Sequence, residues 1–209
     1  MVEVLYIKAS PREDRSYSTK VAESFLDVYR IKNPGHRIRE LDLFKTDLPD
    51  FAFEAISARY LAARAFDMSA AQRAAWDQVK EIAASFAQAD KYVFSVPMWN
   101  YFLPWRLKLY IDLLVQPGIT FKVVEGGYAG LLTGKSAFLI CSSGNEYPPG
   151  AALEARDFQK AYLEFILKYI GIDPVTTLSV APTLAKGPET AAAVLDNAMA
   201  QAAVLAEKF

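Results

Sequence analysis

An alternation along the chain does most to limit what it can fold into. Five short stretches read as strands, at residues 2–7, 37–43, 91–96, 136–141 and 174–180, the second by an imperfect alternation of Ile38, Leu41 and Leu43 with polar residues, and each is followed by a loop and then by apolar residues at helical spacing. In the first helical segment, 16–29, the pattern is Val21, Ala22, Phe25, Leu26 and Tyr29. Ser69 and Gln72 have the spacing of a capping box that opens a helix running to residue 89. Further helices are predicted over 53–66, 103–115, 153–170 and 188–207. Asn33-Pro34-Gly35, Pro117-Gly118 and Gly171 supply stops. The stretch 118–134 is rich in glycine and reads as irregular. Strands joined through helices run parallel, because a parallel pair needs a long crossover. The expected fold is α/β: a doubly wound, five-stranded parallel sheet with helices on both faces, in one domain spanning 1–209.

Such sheets bind ligands beyond the carboxyl ends of their strands, where the strand order switches. The loops 9–18, 97–104 and 142–150 are therefore the informative ones. The first holds Ser10, Arg12, Arg15, Ser16 and Ser18 and leads into a helix. Hydroxyls, free helix N–H groups and the helix dipole suit a phosphate dianion, and an arginine adds charge-assisted bonds. Helix capping alone would explain one of the serines. The second loop, Pro97 to Trp105, crowds Met98, Trp99, Tyr101 and Phe102 together, which suits a planar, partly apolar ring; a core plug or a dimer contact would use the same residues. In the third loop, Ser142, Ser143 and Gly144 are small enough to let the backbone approach a ligand closely. Together the three loops would hold a flavin mononucleotide.

Several other chemistries are excluded. There is no Gly-x-Gly-x-x-Gly, so no Rossmann dinucleotide site is expected. Gly130 to Ser136 imitates a Walker loop but is one residue short and precedes a strand rather than a helix. One cysteine, Cys141, and one histidine, His36, leave no intrachain disulfide, thiolate zinc cage or multi-histidine metal site. Cys141 is expected to be an inert core thiol, and His36 a surface residue. A net charge of −1 gives no basic excess for nucleic acid or for a membrane surface. No apolar run is long enough to cross a bilayer, and residues 1–10 do not read as a leader, so a reducing cytoplasm is the expected setting.

The motifs resemble those of a known family, the FMN-dependent NADH:quinone oxidoreductases, also called azoreductases. Ser10 with Ser16-Tyr17-Ser18 resembles the family's phosphate loop. Pro97-Met98-Trp99-Asn100-Tyr101, followed by Pro104, Leu107-Lys108 and Asp112, is similar to its Pro-Met-Tyr-Asn-Phe segment and helix. Gly118 to Lys135 looks like its Gly-x-Thr-Phe…Glu-x-Gly…Gly-Leu-x-x-Gly-Lys stretch. The resemblance implies a flavodoxin-like fold, a homodimer with one FMN per subunit near the interface, and NADH or NADPH as co-substrate. It carries FMN contacts onto Ser10, Ser16, Tyr17, Ser18, Met98, Trp99, Asn100, Tyr101, Ser142, Ser143, Gly144 and Asn145. Two departures stand out: Trp99 and Tyr101 flank the asparagine, and Ser143 occupies a position where relatives often have arginine. The second removes a cation near the flavin or its substrate.

The implied activity is two-electron transfer from NAD(P)H to quinones or azo compounds by a ping-pong cycle. The cofactor supplies the chemistry, so no catalytic acid or base is assigned. Lys108 and Asp112, four apart on a helix, read as a local ion pair. Two other readings share the fold: a flavodoxin-type electron carrier, against which the near-neutral charge argues, and a flavin-less interaction module.

Overall fold

The computed structural model describes residues 1–209. Along the chain come β1 (Glu3–Lys8), α1 (Tyr17–Lys32), β2 (Arg37–Asp42), α2 (Phe53–Ala62), α3 (Ala70–Ala87), β3 (Lys91–Pro97) and α4 (Trp105–Leu114). Then follow β4 (Phe121–Val124), β5 (Gly127–Gly130), β6 (Ser136–Ser142), α5 (Phe158–Tyr169), β7 (Val175–Val180) and α6 (Gly187–Ala206). Five strands form one parallel sheet in the order β2-β1-β3-β6-β7. This is the expected flavodoxin-like arrangement, and its winding reverses between β1 and β3.

The central strands are buried on both faces, which is why they read as unbroken apolar runs. Leu5, Ile7, Tyr92, Phe94, Leu139 and Cys141 face one core, under α3, α4 and α5. The alternate residues Val4, Tyr6, Val93, Phe138 and Ile140 face the other, under α1 and α6. The α1 stripe Val21, Ala22, Phe25, Leu26 and Tyr29 is fully buried. Each large side chain in it contributes about 1.5–3 kcal/mol of burial energy before chain entropy is counted. Edge strand β2 (Arg-Ile-Arg-Glu-Leu-Asp) is charged and only partly buried, so its alternation is imperfect. The capping box of α3 is present: Ser69 N donates to Gln72 Oε1 at 2.9 Å and Gln72 N to Ser69 Oγ at 3.2 Å. No helix is long and apolar enough to cross a membrane.

Three expectations are corrected. The stretch 118–134 contains an antiparallel hairpin, β4–β5, rather than irregular chain. Its strands have four residues each and are ordered by docking on α5, where Tyr169 meets Phe121 at 5.2 Å and Tyr128 at 5.7 Å between ring centroids. A pair this short cannot stand alone, so local sequence gives little sign of it. The helix expected over 153–170 is split: Glu154–Arg156 is a single 3-10 turn, and Asp157 caps α5 by accepting from Lys160 N at 3.0 Å. The helix expected over 53–66 ends at Ala62, and Ala65 takes a positive φ of 53° just beyond it.

Candidate functional site

In a parallel sheet crossed by helices, every helix N-terminus that follows a strand lies at the strand's carboxyl end. Here α1 and α6 occupy the same face, and their first turns open on one cavity of about 580 Å³. Its walls include Ser10, Arg12, Ser16 and Tyr17 from the first loop, Pro97, Met98 and Trp99 from the second, and Ser142, Ser143 and Gly144 from the third. The three loops singled out in the sequence therefore converge.

The first loop presents an anion cradle. Ser16 caps α1, accepting from Thr19 N at 3.4 Å, and its Oγ lies 3.3 Å from that of Ser18. Ser10 Oγ accepts from Arg12 N at 3.3 Å. Ser18 is fully buried behind Ser16 and does not reach the wall, and Arg15 does not line the cavity either.

The second loop turns more sharply than its sequence suggests. Trp99 and Phe102 exchange both backbone hydrogen bonds, at 3.0 and 2.9 Å, which leaves Asn100 and Tyr101 as a two-residue turn. Both sit at positive φ, 48° and 66°. A hairpin turn of the I′ kind demands this, and it normally uses Asn-Gly. Asparagine tolerates the left-handed region; tyrosine there stores on the order of 1–3 kcal/mol of strain. Asn100 and Tyr101 are exposed and do not line the cavity. Trp99 is backed by Phe44 at 5.9 Å, and Phe44 also meets Trp105 at 6.5 Å. Arg106 donates to the carbonyls of Leu43 and Thr46 and so holds this stretch in place. The start of the segment 44–69, whose role the sequence leaves open, thus supports the aromatic wall.

Met98 N donates to Ser142 O at 2.7 Å, fastening the second loop to the third. Ser143 Oγ is turned onto Asn145 O at 2.8 Å, and Asn145 is exposed, off the cavity wall. The Gly144 N–H has no acceptor within the protein.

A fourth wall was not anticipated. Thr183, Leu184, Gly187, Pro188 and Ala191 line the cavity from the loop after β7 and the first turns of α6. Pro188, placed to start a helix just beyond a strand, was the available signal.

Residues elsewhere have local roles. Lys108 Nζ lies 2.6 Å from Asp112 Oδ1, the ion pair expected. His36 is half-buried, with Nδ1 2.8 Å from the Tyr29 hydroxyl, and does not line the cavity. Cys141 is buried in the sheet, and burial, followed by the Asp157 carboxylate, pushes its thiol pKa well above the ordinary range. The native protein should accordingly resist alkylation by iodoacetamide at pH 8 and label stoichiometrically once unfolded in guanidinium, as read by intact mass. Rapid labelling of the folded protein would show the strand end to be open.

A family model for the flavodoxin-like fold matches residues 2–205. An FMN-dependent NADH:quinone oxidoreductase from Nitratidesulfovibrio vulgaris is 47% identical over 209 residues, covering 100% of both chains. Among solved structures, an azoreductase from Bacillus anthracis superposes with a TM-score of 0.91 at 30% identity, over 100% of both chains. An FMN-dependent NADH-azoreductase from the same organism, solved in complex with FMN, gives a TM-score of 0.89 at 26% identity, covering 100% of this chain and 99% of that one. With its sheet order, its convergent loops and these relatives, the chain belongs to the FMN-dependent NADH:quinone oxidoreductase family of the flavodoxin-like fold.

Proposed function

We propose that this protein is an FMN-dependent oxidoreductase that passes two electrons from NADH or NADPH to a quinone or an azo compound. The observation that carries the reading is the single cavity formed where three loops of a family member meet, with hydroxyls and an arginine in one wall and large apolar side chains in another. Those residues fit the cofactor. Ser10, Ser16, the Tyr17 backbone and Arg12 suit a phosphate dianion at the start of α1, with Ser18 fixing Ser16 from behind. Met98 and Trp99 suit a planar ring, and the unpaired Gly144 N–H suits a polar atom on its edge.

When bound, FMN supplies the two-electron chemistry. The chain's own residues bind, orient and exclude water: Phe44 stiffens Trp99, and the Met98–Ser142 bond holds two walls at a fixed spacing. Asn100, Tyr101 and Asn145, exposed and directly after the lining residues Trp99 and Gly144, are the further FMN contacts that the resemblance implies. The two substrates use the cavity in turn, which makes the cycle ping-pong. A homodimer goes with this reading, and the exposed Phe53, Ile56, Tyr60 and Phe66, on and just after α2, support it. We place the enzyme in the cytoplasm, where reduced nicotinamide is supplied.

The test is a visible spectrum of the purified protein, followed by anaerobic NADH and then a quinone. A flavin spectrum that bleaches with NADH and returns with quinone is the expected result. Bleaching that recovers only with an added protein partner would favour the carrier, and protein that stays colourless after incubation with FMN would sink the cofactor assignment.

A further inference from the structure

The loop after β7 is the cavity wall for which neither the motifs nor the family resemblance provides a role. It is tied closely to the third loop. Thr183 donates to Ser143 O twice, through its backbone N at 3.0 Å and its Oγ1 at 3.0 Å. The next carbonyl, Gly144 O, accepts from Leu184 N at 3.2 Å and Ala185 N at 2.9 Å. Two adjacent carbonyls thus hold four donors between them. Each is saturated, since a carbonyl oxygen has two lone pairs. The peptide between them is fixed in orientation, and its N–H, that of Gly144, is left without a protein partner.

The same bonds immobilise Leu184. Its side chain lies directly against Gly144: a Cβ placed on Gly144 would be 3.4 Å from Leu184 Cβ. Yet Leu184 is 78% exposed. A single exposed leucine on a mobile surface needs no explanation. This one is locked by main-chain bonds, lines the cavity with Met98 and Trp99, and has no way to fold into a core. A rigid apolar group on a cavity wall gains burial energy only when a ligand covers it.

We infer that residues 183–188 form a fourth cofactor-binding segment, in which Leu184 packs on the bound flavin nucleotide and Thr183 sets the Ser143–Gly144 backbone beside it. The inference rests on the FMN assignment above. It gives α6 a part in binding beyond covering the sheet, since Gly187 and Pro188 at its start line the same wall. Lys186, 3.0 Å from Glu146, adds a second tie at the outer edge of the clamp, exposed and therefore weak.

The test is a fluorescence titration of FMN into flavin-free protein. Leu184→Ala should raise Kd about tenfold, the loss expected for one largely buried leucine. Thr183→Val keeps the backbone bond but loses the hydroxyl, and should raise Kd roughly threefold. Leu153→Ala, which removes an exposed leucine outside the cavity, should change nothing. Thermal melts of the flavin-free variants guard against a folding defect; since Leu184 is exposed, its melt should match the wild type. If wild type itself fails to bind FMN, the cofactor assignment falls and takes this inference with it. If wild type binds and Leu184→Ala binds equally well, the fourth segment is refuted while the assignment stands. Unchanged FMN affinity with a raised KM for quinone would also overturn the inference, giving Leu184 to the acceptor.

Discussion

Ser16→Asp is expected to leave the protein folded and to strip it of FMN. Ser16 has two roles that ordinary truncation would confound. It caps α1 through its bond from Thr19 N, and it lines the cavity where the phosphate is placed. Aspartate is as good an N-cap as serine, and the helix dipole favours its charge. The same carboxylate stands in the way of a phosphate dianion. Two like charges about 4 Å apart, at an effective dielectric constant near 20, repel by roughly 4 kcal/mol, so a fall in FMN affinity of at least about a hundredfold is expected. Ser16→Asn is the matched control, because it keeps the cap without the charge. Flavin titration and a thermal melt of the two variants separate the roles. Should both variants bind FMN like the wild type, capping is the whole purpose of Ser16 and the phosphate lies elsewhere.

The second large effect concerns stability. A Cβ on Gly130 would lie 2.2 Å from Gly171 N and 2.3 Å from Ile170 C, all backbone, with no flexible side chain to give way. Gly130 ends β5 where the hairpin docks, and Leu132 N donates to Ile170 O at 2.9 Å just beyond. Gly130→Ala must push the hairpin off α5 or deform the end of that helix. A cost of about 3 kcal/mol, the upper part of the usual range for overpacking, corresponds to a melting temperature lower by about 6–12 °C in a chain of this size. Gly35→Ala, with nothing within 4 Å of the new methyl, should stay within about 0.5 kcal/mol of wild type. An unchanged melt for Gly130→Ala would mean that the hairpin is not docked as described.

Where the sequence was legible, one physical cause decided the outcome. The central strands are buried on both sides, so Val4–Ile7 and Tyr92–Val96 declare themselves without help from the rest of the chain. The cap of α3 and the Lys108–Asp112 pair are local in the same sense. What escaped depends on partners far along the chain. The β4–β5 hairpin is held by Tyr169 and by the close approach of Gly130 to Gly171, neither of which a local pattern encodes. Asp157 interrupts a run whose apolar spacing continues through it, so periodicity outweighed the cap. The cavity was three-quarters visible, because hydroxyls, aromatics and glycines mark their loops by composition. The loop 181–187 has only Thr183 and Gly187 of that kind, too few to single it out, and its place becomes evident only when Thr183 is seen on Ser143.

The tight turn at Asn100 and Tyr101 has a consequence for anyone who sets out to engineer this enzyme. Selection for thermostability would find position 101 early, because glycine there releases the strain of a left-handed tyrosine at once. The same exchange deletes an aromatic ring from the mouth of the proposed active site. Heat resistance and turnover would then pull in opposite directions at one residue, and a library scored on melting temperature alone would drift toward a sturdier, poorer catalyst.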